Sequence, residues 1–279
     1  MPESQISRIK LIATDLDGTL LGSQGDLSAR NAAALRAAQA AGLVVVLVTG
    51  RPVRMALPLA QQLGLHGHVI CTNGAATYRL PGGECEDRVG IAAHVLQAAI
   101  PRLRQAIPGV AFALEYGDWV IRERALRDDP ESVPDILSVL DGHPSPLKLI
   151  VRGAGLDTHA LNARINALCA GYLEASSSGA SFSEVAAHGV NKGYALARLC
   201  GLLGLEGGQC LVFGDAHNDL PMFAWAGASV AVSNAAPDVQ RAAGEVTLSN
   251  DEDGVAAVIE RLLKTQALGR QPATDPAES

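Results

Sequence analysis

The sequence predicts an α/β protein: a doubly wound, mainly parallel sheet into which a separate α+β domain is inserted. Two observations predict it. Short, wholly apolar runs alternate with helical segments over roughly the first 80 residues, and the same alternation resumes from about residue 190. Between residues 84 and 185 the rhythm changes to paired strand-like pieces with two long helix candidates.

The elements follow in order. RIKLIATD (8–15) reads as a short apolar strand around Lys10–Thr14. Ser28 can cap a helix through its hydroxyl, and Gly42 can end that helix in a left-handed conformation. LVVVLV (43–48) is apolar at every position and rich in β-branched Val, the signature of a strand covered on both faces. Pro52 suits the first turn of the next helix, Gly64 can stop it, and HVICT (68–72) is a third strand. PGGE (81–84) is a hinge signal. Beyond it lie a helix candidate over His94–Ile107, strand-like pieces at Val110–Tyr116, Trp119–Arg124 and 147–153, and a second helix over Thr158–Ala170.

The second crossing is expected near Ala186–Gly189, followed by a helix over 192–203, a strand QCLVF (209–213), a short helix from Asp219, a strand ASVAV (228–232), the short piece EVTL and a final helix near 252–264. The expected division is a discontinuous Rossmann-like core, 1–83 and 186–265, around an inserted domain, 84–185. The polar, Pro-bearing tail 266–279 is expected to be disordered.

Composition excludes several function classes. A net charge of −7 and the lack of a Lys/Arg cluster disfavour nucleic acid as a partner. No apolar run approaches the roughly 20 residues of a membrane span, and the opening MPESQISRIK lacks a secretory pattern, so the expected location is cytoplasmic. Cys71, Cys85, Cys169, Cys200 and Cys210 are odd in number and widely spaced, which argues for structural thiols over disulfides or zinc. Nothing in the sequence specifies an oligomeric state.

Four segments concentrate the chemistry, each beginning where a strand ends, the side of an open α/β sheet on which ligands bind. In Asp15-Leu16-Asp17-Gly18-Thr19-Leu20 the two carboxylates can face the same way and repel unless a cation or shared proton intervenes. Magnesium, a hard ion that takes oxygen ligands, suits them, although an Asp-Gly turn would look the same. Thr49-Gly50-Arg51 offers a hydroxyl and N–H groups at a helix start, fit for a phosphoryl oxygen or a simple cap. Lys192 opens a helix in GVNKG, against the helix dipole, and either neutralises an anion or is merely solvated. Asp215 ends the apolar strand before Ala216-His217-Asn218-Asp219, at a depth where a carboxylate needs a partner.

Together, DLDGTL, VTGR, GVNKG and GDAHNDLPMF resemble the haloacid dehalogenase-like hydrolase superfamily, specifically its Cof-like sugar-phosphatase branch. TNGA (72–75), the Glu184 segment and DEDGVAAVIERL (251–262) fit the same branch, and the inserted domain corresponds to its cap.

The resemblance implies a phosphatase of small phosphorylated metabolites. Asp15 is then the nucleophile that forms an aspartyl-phosphate, and Asp17 the general acid/base. Mg2+ is held by Asp15, the Asp17 backbone carbonyl, Asp215 and, through water, Asp219. Thr49, Gly50, Lys192 and Asn218 hold the phosphoryl group. A phosphomutase and a non-catalytic phosphate-binding module are the alternatives. Glu115, Tyr116, Trp119, Arg122 and Arg124 are the cap residues chemically suited to line the site. His217 and Phe223 depart from the usual pattern at positions expected to hold no ligand.

Overall fold

The computed structural model describes residues 2–127, 129–153, 155–178 and 181–268. After a short helix α1 (Glu3–Ile6) the chain runs β1 (Leu11–Thr14), α2 (Ala29–Ala40), β2 (Val44–Val48), α3 (Val53–Gln62) and β3 (Gly67–Cys71), then the antiparallel pair β4 (Ala76–Leu80) and β5 (Cys85–Arg88). A second unit follows with α4 (Ala93–Ala106), β6 (Ala111–Glu115), β7 (Val120–Arg122), β8 (Lys148–Arg152), α5 (Thr158–Cys169), β9 (Leu173–Ser176) and β10 (Ser183–Ala187). The chain returns through α6 (Lys192–Leu202), β11 (Cys210–Gly214), α7 (Leu220–Trp225), β12 (Ala228–Ala231), α8 (Pro237–Ala242), β13 (Glu245–Val246) and α9 (Gly254–Leu268).

The large sheet has the order β13-β12-β11-β1-β2-β3-β4-β5 and is parallel from β13 through β3. Its apolar strands bury both faces as their composition requires. Val45 and Leu47 of β2 pack in one cluster with Leu35 and Ile259, whereas Val46 and Val48 pack in another with Leu196 and Val212. The caps also form as the side chains dictate. Ser28 accepts from the Asn31 N–H at 2.9 Å to start α2, and Asn191 accepts from the Tyr194 N–H at 2.9 Å to start α6, which fixes Lys192 in its first turn.

The five-stranded antiparallel sheet, β7-β6-β8-β10-β9, has its own core. Phe112, Leu114, Leu149, Val151 and Val185 point to α4 and α5, meeting Leu96, Ile100, Leu161 and Ile165. Alternation then turns Glu115, Lys148, Ile150 and Glu184 to the opposite face, toward the large sheet.

Sheet membership shifts the expected crossings. PGGE lies inside the β4–β5 hairpin rather than between units, because β5 still pairs with β4, so the chain leaves the large sheet after Arg88. It leaves the smaller sheet after Ala187, within the expected return segment. Helix α9 runs to Leu268, past the expected end near 264, and Gln266 is tied by its side chain to the carbonyls of Ile6 and Ile9 at 2.9 and 3.0 Å. The rest of the expected tail, 269–279, lies outside the described residues.

All five cysteines are free thiols; Cys200 and Cys210 approach to 3.6 Å between sulfurs, and only Cys85 is exposed. Among the described residues no helix is long and apolar enough to cross a membrane.

Candidate active site

The parallel strands bring three of the chemical segments to one edge of the sheet. The Asp15 N–H continues the β1–β11 ladder by donating to the Phe213 carbonyl at 3.1 Å, so Asp15 and Asp215 emerge side by side. Thr19 donates its hydroxyl to Asp215 Oδ1 at 2.7 Å. Gly18, between them, has φ +82°, and a Cβ there would sit 2.6 Å from Asp215 Oδ2. Glycine is therefore demanded both by the backbone and by the carboxylate beside it.

Lys192 is buried where α6 begins and donates to Asp15 Oδ1 at 2.5 Å and to Asp219 Oδ1 at 2.6 Å. The other Asp219 oxygen accepts the N–H groups of Asp215 and Ala216, both at 3.0 Å. Both Asp219 oxygens are thus already occupied by donors, an arrangement in which it orders the loop and the lysine.

One oxygen from each of Asp15, Asp215 and Asp219 lies within 4.8 Å of the others. Burial pushes the Asp15 carboxyl well above its usual range; Lys192 opposes this, while Asp219 and Asp215 add to it. Burial raises Asp215 to about 6 against the Thr19 hydrogen bond, helped by the neighbouring Asp219 charge. Burial works to lower Lys192, but the charges of Asp15 and Asp219 hold it above its ordinary value, so it remains an ammonium. Three crowded carboxylates against one ammonium leave an excess of negative charge with all-oxygen donors, which fits a hard divalent cation such as magnesium.

Asp17 lines the same cavity as Asp15 but is half-exposed. Arg51 grips it with both arms of its guanidinium, Nε to Oδ2 at 2.8 Å and Nη2 to Oδ1 at 2.5 Å. Thr49 is fully buried; its Oγ1 accepts the Arg51 N–H at 3.0 Å, which leaves its hydroxyl hydrogen free to donate. Gly50 lines the cavity above Asp15, with Asn73 Oδ1 only 3.0 Å from where its Cβ would stand.

Asn218, the expected further phosphate contact, lines both cavities of the site. Its amide nitrogen donates to Asn73 Oδ1 at 3.0 Å, and its own oxygen is buried without a partner.

The smaller sheet closes over these groups. Arg54 of α3 reaches across to Glu115, at 2.5 and 2.9 Å, and to the Gly117 carbonyl at 2.7 Å. Lys148 of β8 donates to the Gly50 carbonyl at 3.1 Å and pairs with Glu184, whose second oxygen accepts from Ser178. Burial works to raise Glu184, but Lys148, with help from Ser178 and Asn73, brings it below its ordinary value.

Asp15, Asp17, Gly50, Arg51, Arg54, Glu115, Lys148 and Glu184 line a cavity of about 500 Å³ between the sheets. A second cavity of about 680 Å³ adjoins it, sharing Asn218 and running between α5, β9 and the start of α6.

Of the expected cap residues, Glu115 faces the site. Tyr116, Trp119, Arg122 and Arg124 line neither cavity; Tyr116 and Trp119 stack on each other with centroids 5.0 Å apart. His217 is largely exposed and pairs with Asp238 at 2.6 Å. Arg51, Arg54 and Lys148 were not singled out by sequence. The available signal was a charged residue inside the otherwise apolar run LKLIV (147–151), which a strand buried on one face tolerates only if the other face has a partner for it.

Asp15 at its strand end, the buried lysine and the grouped carboxylates lie beneath a second sheet, and the chain belongs to the haloacid dehalogenase-like hydrolase family, whose pattern spans residues 12–259. Its relatives are phosphatases, and the chain is a phosphoric monoester hydrolase. A 5-amino-6-(5-phospho-D-ribitylamino)uracil phosphatase of Bacillus subtilis is 29% identical, covering 92% of this chain and 99% of its own. The phosphoglycolate phosphatase of Methanothermobacter thermautotrophicus is 27% identical over 91% of this chain and 99% of its own. The crystal structure of a haloacid dehalogenase-like hydrolase from Bacteroides thetaiotaomicron superposes with TM-score 0.76 at 28% identity, covering 91% of this chain and 99% of that one.

Proposed function

We propose that the protein is a magnesium-dependent phosphatase of small phosphate monoesters, sugar phosphates foremost, working through an aspartyl-phosphate on Asp15. The observation that carries this reading is the Asp15 carboxylate, buried yet held by Lys192 beside Asp215 and Asp219. In the same reading the large sheet is the catalytic core and the segment between Arg88 and His188 is the cap.

The chain's own residues suffice to order the steps. Lys192 fixes one Asp15 oxygen, leaving the other to attack phosphorus. Gly50 and Thr49 offer N–H and O–H donors to the phosphoryl oxygens, and Lys192 adds positive charge as the negative charge spreads. Asp17 delivers a proton to the departing alkoxide oxygen as its bond to phosphorus breaks. Asp17 then takes a proton from water, which attacks the phosphorus, so that the phosphorus–oxygen bond to Asp15 breaks and free phosphate leaves. Arg51 holds Asp17 beside the cavity until a phosphoryl group offers the guanidinium another partner. Magnesium would be held by Asp15, Asp215 and the Asp17 carbonyl, with Asp219 acting through water, and would supply positive charge to offset the phosphate and the carboxylates.

The test is phosphate release from p-nitrophenyl phosphate with and without magnesium, beside Asp15→Asn, with acid quenching to trap phosphate on the Asp15 peptide. Magnesium-dependent release that Asp15→Asn abolishes supports the reading. Release without metal, or undiminished in the variant, overturns it.

A further inference from the structure

We infer that the leaving group of the substrate is seated in the second cavity, beside α5 and β9, and that this subsite selects a neutral hydroxyl-bearing group and rejects one that carries a second acid. The inference rests on the phosphatase reading above and adds to it where the organic part of the substrate lies and what that part is.

The two cavities that meet at Asn218 differ in what they leave unsatisfied. In the one above Asp15, each cation already has an acidic partner: Arg51 with Asp17, Arg54 with Glu115, Lys148 with Glu184. A ligand group entering there must displace a made ion pair.

The second cavity presents unmet acceptors. Asn162 and Asn218 both line its wall, and the side-chain oxygen of each is buried without a hydrogen-bond partner. Asn73 turns its oxygen toward the Asn218 nitrogen, which donates to it at 3.0 Å. The Asn218 oxygen is left without a partner. A buried acceptor left unpaired is unfavourable, and a ligand hydroxyl relieves it.

Charge on the same wall points the same way. Glu174 of β9 contributes a carboxylate, which accepts from the Gly189 N–H at 3.2 Å. Lys192 is engaged by Asp15 and Asp219, and His217 by Asp238, so among the described residues of this wall His159 is the remaining basic side chain. A carboxylate or second phosphate on the leaving group would meet acceptors and a like charge.

Glucitol 6-phosphate and 6-phosphogluconate test this, because they differ only in a CH2OH against a carboxylate at the end far from phosphate. Calorimetric binding to the Asp15→Asn protein with magnesium is expected to favour glucitol 6-phosphate by at least about tenfold. Glu174→Gln is expected to shrink that preference to about threefold or less. In the otherwise native enzyme, Asn162→Leu is expected to lower kcat/KM for glucitol 6-phosphate relative to p-nitrophenyl phosphate by about fivefold, through KM. Equal or tighter binding of 6-phosphogluconate overturns the inference, as does failure of both compounds to bind, or an Asn162→Leu effect equal for the two substrates. Turnover of p-nitrophenyl phosphate by the native enzyme reports separately on the phosphatase reading.

Discussion

Lys192 Nζ stands 2.5 Å from Asp15 Oδ1, although the two residues are 177 positions apart in the chain. The contact sets how Asp15 behaves: it keeps a deeply buried carboxylate oriented and opposes the rise in its pKa that burial imposes. Replacing Lys192 by Met keeps the side-chain length and removes the charge. Turnover is expected to fall by about 10²–10³, the scale for losing one preorganised stabilising group. The metal-free protein is expected to lose about 3 kcal/mol of stability, because Asp15 and Asp219 are left buried and unopposed. Thermal unfolding with and without magnesium, beside phosphate release, checks both, and the metal is expected to recover part of the lost stability.

Gly18→Ala puts a methyl group 2.6 Å from Asp215 Oδ2 in a backbone conformation with φ +82°. A loss of about 1–2 kcal/mol is expected from the backbone alone. Displacement of Asp215 is expected to weaken magnesium binding as well. A magnesium titration of activity on the folded variant should therefore show a higher half-saturation concentration, and an unchanged one would place Asp215 outside the metal site.

Arg54 joins α3 to Glu115 and Gly117 across the two sheets. In Arg54→Met the buried Glu115 loses its cation and the smaller sheet loses a tether to the larger. KM is expected to rise about tenfold, with kcat changing less, since the residue does not touch the reacting atoms. Small-angle scattering is expected to show a larger radius of gyration for the variant.

Glu184 provides a pH dependence with a definite sign. Lys148, Ser178 and Asn73 outweigh burial and hold its carboxyl below the ordinary value of 4.5. The unfolded chain therefore binds the proton more readily, and the stability contributed by the ionised group is complete above 4.5 and is lost as pH falls through the lower folded value. Glu184→Gln is expected to be less stable at pH 7 and to show a flatter acid limb in thermal unfolding between about pH 5 and 3.

Much of this was legible in residue order. LVVVLV could only be a strand covered on both faces, and Val45/Leu47 against Val46/Val48 is that prediction in three dimensions. Asp15, Lys192, Asp215 and Asp219 meet because each stands where a strand ends or a helix begins, and such ends are readable. The β5 strand was not, since CEDR (85–88) has no apolar alternation and forms only because β4 offers it an edge. The cap residues were read from polarity alone, which found Glu115 but also Trp119 and Arg124, whereas Lys148 was hidden in an apolar run. Which face of a strand looks inward across a domain boundary depends on how two units pack, and no local pattern encodes that.

The placement of β1 between β11 and β2 has a consequence for biosynthesis. Leu11 pairs with Cys210, so the strand bearing Asp15 has one neighbour made soon after it and another made about 200 residues later. At about 5–20 residues per second the ribosome takes roughly 10–40 s to supply that second neighbour, together with the loop that bears Asp215 and Asp219. A nascent chain therefore holds Asp15 long before the side chains that surround it in the folded protein, and activity should appear only once nearly the whole polypeptide has emerged.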